Sequence, residues 1–172
     1  MSGSLVLIQE TTVSSPQASV SLVGIDSSFE VYKVVINGYL NSTASGQRLR
    51  VTVSGTPDTT SNYDRARKQL KTDTSFTNSS NANEDKTYIG QQIGTLSNSQ
   101  TNAVMYLFNF PNASEYSYAT IESAWVNATP NTVGMTSGLV HTVASASDGV
   151  QIFNLNGNNI ASRTFKLYGL KK

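Results

Sequence analysis

The sequence has no cysteine, one histidine, one tryptophan and four prolines. Without cysteine, neither disulfides nor thiolate metal sites can hold the fold, so a small secreted disulfide scaffold is excluded and the hydrophobic core must suffice. A lone histidine with no cysteine cannot furnish the ligands that zinc takes. Charge is scarce as well. Asp, Glu, Lys and Arg make up 13% of the 172 residues and sum to a formal +1, against about 25% charged residues in an average soluble domain. A chain so nearly neutral has no long-range field to draw it to nucleic acid or to an anionic membrane, and neither partner is expected. Long hydrophobic runs are missing too, since none approaches the roughly 18 residues that span a bilayer as a helix. The stretch MSGSLVLIQE has only four consecutive apolar residues and no basic flank, too little for a secretory leader, so synthesis in a cytoplasm is expected.

In place of charge the chain carries Ser, Thr and Asn, about a third of its residues. These side chains compete for backbone hydrogen bonds in helices, while Thr and the aromatics suit a pleated surface. The runs SLVLIQ, ASVSLV, FEVYKVVINGYL, QRLRVTVS, KTYIGQQI, AVMYLFNF, YSYATIESAWV, GLVHTVAS, GVQIFNL and ASRTFKLYGL read as strands, each bounded by Gly, Asn, Asp or Pro. The expected fold is therefore all-β: one domain over residues 1–172, a two-sheet antiparallel β-sandwich, jelly-roll-like, of about ten strands. Residues 54–85 interrupt the scheme as a polar excursion. Within it NYDRARKQL suits two helical turns or a polar edge strand, and TNSSNANED has the composition of a mobile loop.

Periodicity separates two kinds of strand. In QRLRVTVS, Leu49, Val51 and Val53 alternate with Arg48, Arg50 and Thr52, the pattern of a strand with one wet face. In GIDSSFEVYKVVINGYL, Phe29, Val31 and Val35 lie on one face and Tyr32, Val34, Ile36 and Leu40 on the other. A strand apolar on both faces is either central with something packed outside it or part of a subunit interface. Self-association is the sharper of these readings. Asp26, in the GID corner that precedes the strand, is placed to cap backbone N–H groups.

Reactive constellations are hard to assemble from what remains. His141 is the sole imidazole and no GxSxG elbow exists, so a Ser-His-Asp arrangement is not supported. The carboxylates are scattered, with only Glu84 and Asp85 adjacent, whereas glycoside hydrolysis needs two of them facing each other about 5 to 9 Å apart. No phosphate-cradling glycine motif follows a strand, and no DxDxDG-like calcium loop occurs. No catalytic residue, metal site or cofactor is expected. The aromatics Tyr116, Tyr118 and Trp125 fall in one strand, with Trp125 on the opposite parity from the tyrosines. They are candidates for stacking on a sugar or for an interface. The basic group Arg65, Arg67 and Lys68, with Lys71 beside it, contains Asp64 and lacks interleaved aromatics; it reads as an assembly-contact loop or a solvated face.

Three stretches carry a family resemblance: SSPQASVSLVGIDSSFEVYKVVING, the central YLFNF and the C-terminal TFKLYGLKK. They resemble the ASV, GIDSxYxxYK, YLFNP and KLYGxK elements of small tailed-phage virion structural proteins. The likeness covers nearly the whole chain. It departs at DGVQIFNLNGNNIAS, where the pattern tends toward IRFxxxSGNIxSG, and around residues 57–85. The resemblance implies a non-enzymatic virion component, made in the host cytoplasm, that works by packing. A capsid decoration or tail adaptor role follows, with a homo-oligomer, a trimer first, and other capsid or tail proteins as partners. The alternative is a tail-fibre or receptor-binding module that recognises a host glycan through Tyr116, Tyr118 or Trp125.

Overall fold

The computed structural model describes residues 4–95, 99–129 and 131–171, and the side chains of residues 39–41 lie outside the description. Thirteen strands form among the described residues: β1 (Leu5–Val13), β2 (Ser19–Val23), β3 (Val31–Asn41), β4 (Ser45–Val53), β5 (Thr56–Pro57), β6 (Tyr63–Lys71), β7 (Phe76–Glu84), β8 (Thr87–Ile93), β9 (Thr101–Phe108), β10 (Ser117–Val126), β11 (Thr132–His141), β12 (Gly149–Asn154) and β13 (Ile160–Leu170). A single 3-10 turn at Leu155–Gly157 is the only helical element among them. Eight strands make the larger antiparallel sheet, in the order β1-β13-β3-β9-β10-β11-β6-β7. The smaller sheet runs β2-β12-β4, and the far side of β4 is shared by β5 and β8. The two sheets pack as a sandwich, as composition and alternation imply.

Alternation explains how each strand is used. β10 switches between buried and exposed at every residue from Ser117 to Trp125, so Ala119, Ile121 and Trp125 face the interior while Tyr118, Thr120, Glu122 and Ala124 face outward. On the inner face Tyr32, Val34, Met105, Leu107 and Ile121 of the larger sheet join Leu22, Leu49, Val51, Val150 and Ile152 of the smaller in one continuous core. Each such side chain contributes roughly 1.5–3 kcal/mol relative to its exposed state. The turn between β4 and β5 places Ser54 and Gly55 at φ 51° and 73°, the left-handed pair that a tight hairpin demands.

The stretch apolar on both faces becomes β3, interior to the larger sheet between β13 and β9. Tyr32, Val34 and Ile36 are buried against the smaller sheet, while Val31 and Val35 on the outer face are half-buried. Leu40 lies outside the described side chains. Phe29 does not share a face with Val31, because it precedes the strand; it packs edge-on to Tyr32 at 5.7 Å between centroids. The GID corner is held as expected. Ser28 N–H donates to Asp26 Oδ1 at 2.8 Å, and the Tyr32 hydroxyl donates to Asp26 O at 2.5 Å.

Two further expectations are corrected. β4 has no wet face: Arg48 and Thr52 are as buried as Leu49 and Val51. The Arg48 guanidinium lies 3.6 Å from the centroid of the Tyr88 ring, and Thr52 Oγ1 donates to Asp148 Oδ1 at 2.7 Å. The segment 54–85 is not simply an excursion, since NYDRARKQL supplies β6 and TNSSNANED supplies most of β7. β6 is an interior strand paired along its length with β11, and β7 closes that edge of the sheet. Neither a helix nor a loop forms there. Polar residues on both faces conceal the alternation, because the inward positions Arg65 and Arg67 bury their stems and stack their guanidiniums.

Candidate functional site

The broad outer face of the larger sheet is the most distinctive surface. Its side chains fall into rows that cross the sheet at right angles to the strands. One row runs Leu7, Tyr168, Lys33, Tyr106, Thr120, Gly138, Ala66, Ser80 over all eight strands. The next runs Glu10, Lys166, Val35, Val104, Glu122, Thr136, Lys68, Asn78. Beside them, Val31, Phe108, Tyr118 and Val140 align on one flank, and Ala124, Gly134, Leu70 and Phe76 on the other.

Size varies sharply along these rows. On β10, β11 and β6 the outward residues are mostly small, and a Cβ built at Gly134 or Gly138 would meet nothing within 4 Å. Around this low centre stand Leu70, Phe76, Phe108 and Tyr118, which are 50%, 68%, 36% and 45% exposed. The result is a pair of shallow apolar depressions of about 630 and 700 Å³, one floored by Ala124 and Gly134, the other by Ala66 and Gly138. Apolar area gathered on one face in this way is what interaction surfaces offer.

Two polar clusters are largely buried. His141, 1% exposed, hydrogen-bonds through Nε2 to Asp58 Oδ2 at 2.7 Å. Tyr63 joins them, with its ring tilted 43° against the imidazole and its hydroxyl donating to Asp58 O at 2.8 Å. Burial works to raise the Asp58 pKa, but the Thr60 hydroxyl, His141, the Thr60 N–H and Asn62 outweigh it and hold the carboxyl below the ordinary range. A carboxyl depressed in the folded state stabilises fully above its unfolded pKa of about 3.9, and the stabilisation is lost as pH falls through the lower folded value. Asp58→Asn is therefore expected to cost about 1–2 kcal/mol at neutral pH, with the gap to the parent closing as the pH drops below about 4. Urea midpoints measured down the acid limb check this, and a gap that stays constant with pH contradicts it.

The second cluster gathers Arg48, Arg65 and Arg67 against the Tyr88 ring at 3.6, 4.1 and 4.2 Å from its centroid. Their hydrogen bonds go to neutral groups: Arg48 to Gln47 O and Gly90 O, Arg65 to Asn81 Oδ1, Arg67 to Gln91 Oε1. Burial, with Arg67 and Arg65 nearby, lowers the Arg48 pKa to about 10 against the opposing pull of Tyr88. Arg67 is lowered by burial and by Arg65. Beside this cluster opens a polar cleft of about 380 Å³, lined by Arg67, Gln69, Lys71, Asn78, Gln91 and the edge of Trp125 among others.

The residues singled out from sequence are dispersed. Trp125 is 3% exposed and donates its indole N–H to Gln91 O at 2.9 Å, so neither ring face is open for sugar stacking. Tyr118 is on the outer face, and Tyr116 stands in the turn before β10. Arg65, Arg67 and Lys68 sit on a strand and not in a loop; Arg65 and Arg67 turn inward to Tyr88, and only Lys68 faces outward. The carboxylates do not converge. Glu84 accepts from Asn81, Asp85 pairs with Arg50 and Lys86, Glu115 accepts from Asn109 and Asn112, and Glu122 is on the outer face. What sequence reasoning missed is the low centre of that face. Its signal is the spacing of Gly134 and Gly138 in GMTSG, which puts both on the same side of β11. No family model matches the chain, and no curated protein matches it.

Proposed function

We propose that the protein is a non-enzymatic structural component of a tailed-phage particle, a capsid decoration or tail adaptor that works by packing against copies of itself and against capsid or tail proteins. The observation that carries this reading is the outer face of the larger sheet. Six of the nine exposed large apolar side chains among the described residues lie on it: Leu5, Leu7, Leu70, Phe76, Phe108 and Tyr118. A sheet with no further duty would carry polar residues there. The sequence resemblance supplies the particle. Quantitative mass spectrometry of purified particles of the encoding phage is expected to find the chain at fixed stoichiometry after salt washing; its absence from particles overturns the reading.

A second reading, recognition of a host glycan, is favoured by the polar cleft. Its amides and cations, Gln69, Gln91, Arg67 and Lys71, are the groups that take sugar hydroxyls and acidic substituents. Of the aromatics named from sequence only Trp125 lines it, and its ring is buried. A glycan array with hits that Lys71→Ala abolishes supports this reading, and an array without hits removes it.

A further inference from the structure

We propose that the outer face of the larger sheet pairs with the same face of a second copy about a two-fold axis running along β11. The inference rests on the packing role proposed above and names its partner. Its first ground is charge. In the row Val104, Glu122, Thr136, Lys68, Asn78, Glu122 on β10 and Lys68 on β6 stand one strand to either side of Thr136. They are about 10 Å apart, two strand spacings. Both are exposed, and among the described residues neither has an ion-pair partner within the chain.

When two sheets face each other, a two-fold axis relating them lies in the plane between them. An axis parallel to β11 exchanges the two sides of that strand, so Lys68 of each copy meets Glu122 of the other. An axis across the strands along this row instead sets Glu122 against Glu122 and Lys68 against Lys68, and opposed like charges are unfavourable. Of the two isologous arrangements centred on Thr136, the charge pattern therefore selects the axis along β11.

Shape selects the same one. The operation that pairs the charges sets Leu70 over Ala124 of the second copy, and Thr120 over Ala66, so that larger side chains meet small ones. Gly134 and Gly138 lie on the axis itself, where open space above them lets the backbones approach. Five strands, β9 to β7, at about 4.8 Å spacing and with about eight residues each give roughly 700 Å² per copy. That is close to the roughly 800 Å² per partner of a standard stable interface. A three-fold assembly of the kind the resemblance implies needs two different patches that complement each other. This face complements itself, which makes the pair the unit.

Sedimentation velocity of the full chain at micromolar concentration tests the arrangement. The parent is expected to run as a dimer. Lys68→Glu and Glu122→Lys each set like charges together at both symmetry-related contacts and should weaken the dimer by about tenfold or more. The double variant K68E/E122K restores opposite charges and should dimerise as the parent does. Circular dichroism melts confirm that each variant is folded. Gly138→Trp, at an outward position with nothing above it, should abolish the dimer without unfolding the chain. A parent that stays monomeric, an oligomer indifferent to both single reversals, or a double variant no tighter than the singles overturns the two-fold face. Each of those results leaves the particle assignment standing, because that is read from intact particles.

Discussion

Gly149→Ala is expected to destabilise the fold by about 4 kcal/mol or more, a fall in melting temperature of roughly 8–16 °C for a chain of this size. Gly149 opens β12 and pairs with Val23 of β2 on one side and Thr52 of β4 on the other. A Cβ there would stand 2.1 Å from Leu22 O and 2.9 Å from Val23 Cα. Both are backbone atoms, so no rotamer change relieves the clash, and β2 must move away from the sheet. Thr52 Oγ1, at 2.9 Å from the same point, holds Asp148 and would be displaced as well. A thermal melt within about 2 °C of the parent would show that this crossing is looser than described.

Tyr63→Ala is expected to cost about 4 kcal/mol, and Tyr63→Phe about 1–3 kcal/mol. Tyr63 is fully buried at the start of β6, in the larger sheet, yet its hydroxyl accepts the Val51 N–H of β4, in the smaller sheet, at 3.0 Å. The same hydroxyl donates to Asp58 O, and Asp58 N–H donates to Val51 O at 2.9 Å. One side chain thus joins both sheets and the connection between them. The phenylalanine keeps the ring and strands a buried backbone donor; the alanine also opens a cavity beside His141. Urea midpoints at a common slope separate the two costs. Equal midpoints for the two variants would mean that the ring contributes nothing beyond the hydroxyl.

The sequence made some of this legible for definite reasons. β9 and β10 alternate cleanly, and their inward residues, Met105, Leu107, Ile121 and Trp125, could be assigned by parity alone. β4 and β6 could not, because Arg reads as a solvent-facing residue. Arg48, Arg65 and Arg67 are inside because an aromatic ring, Tyr88, receives all three. Their partner lies on another strand, and pairing of this kind leaves no mark on local periodicity. The outer face of the larger sheet was half legible. The apolar outer residues Val31 and Val35 of β3 raised the question of what covers them, but the low centre that gives the face its shape is made of glycine and alanine on strands far along the chain. Only the register between β10, β11 and β6 brings Glu122, Thr136 and Lys68 into one row.

A cryo-electron microscopy map of the intact phage particle is the most direct test of the claim that this sandwich acts by packing through its larger sheet. The account predicts density for the chain with Leu70, Phe108 and Tyr118 covered by another protein surface, a second copy lying across β11. A map in which the chain is present with that face open to solvent would contradict it.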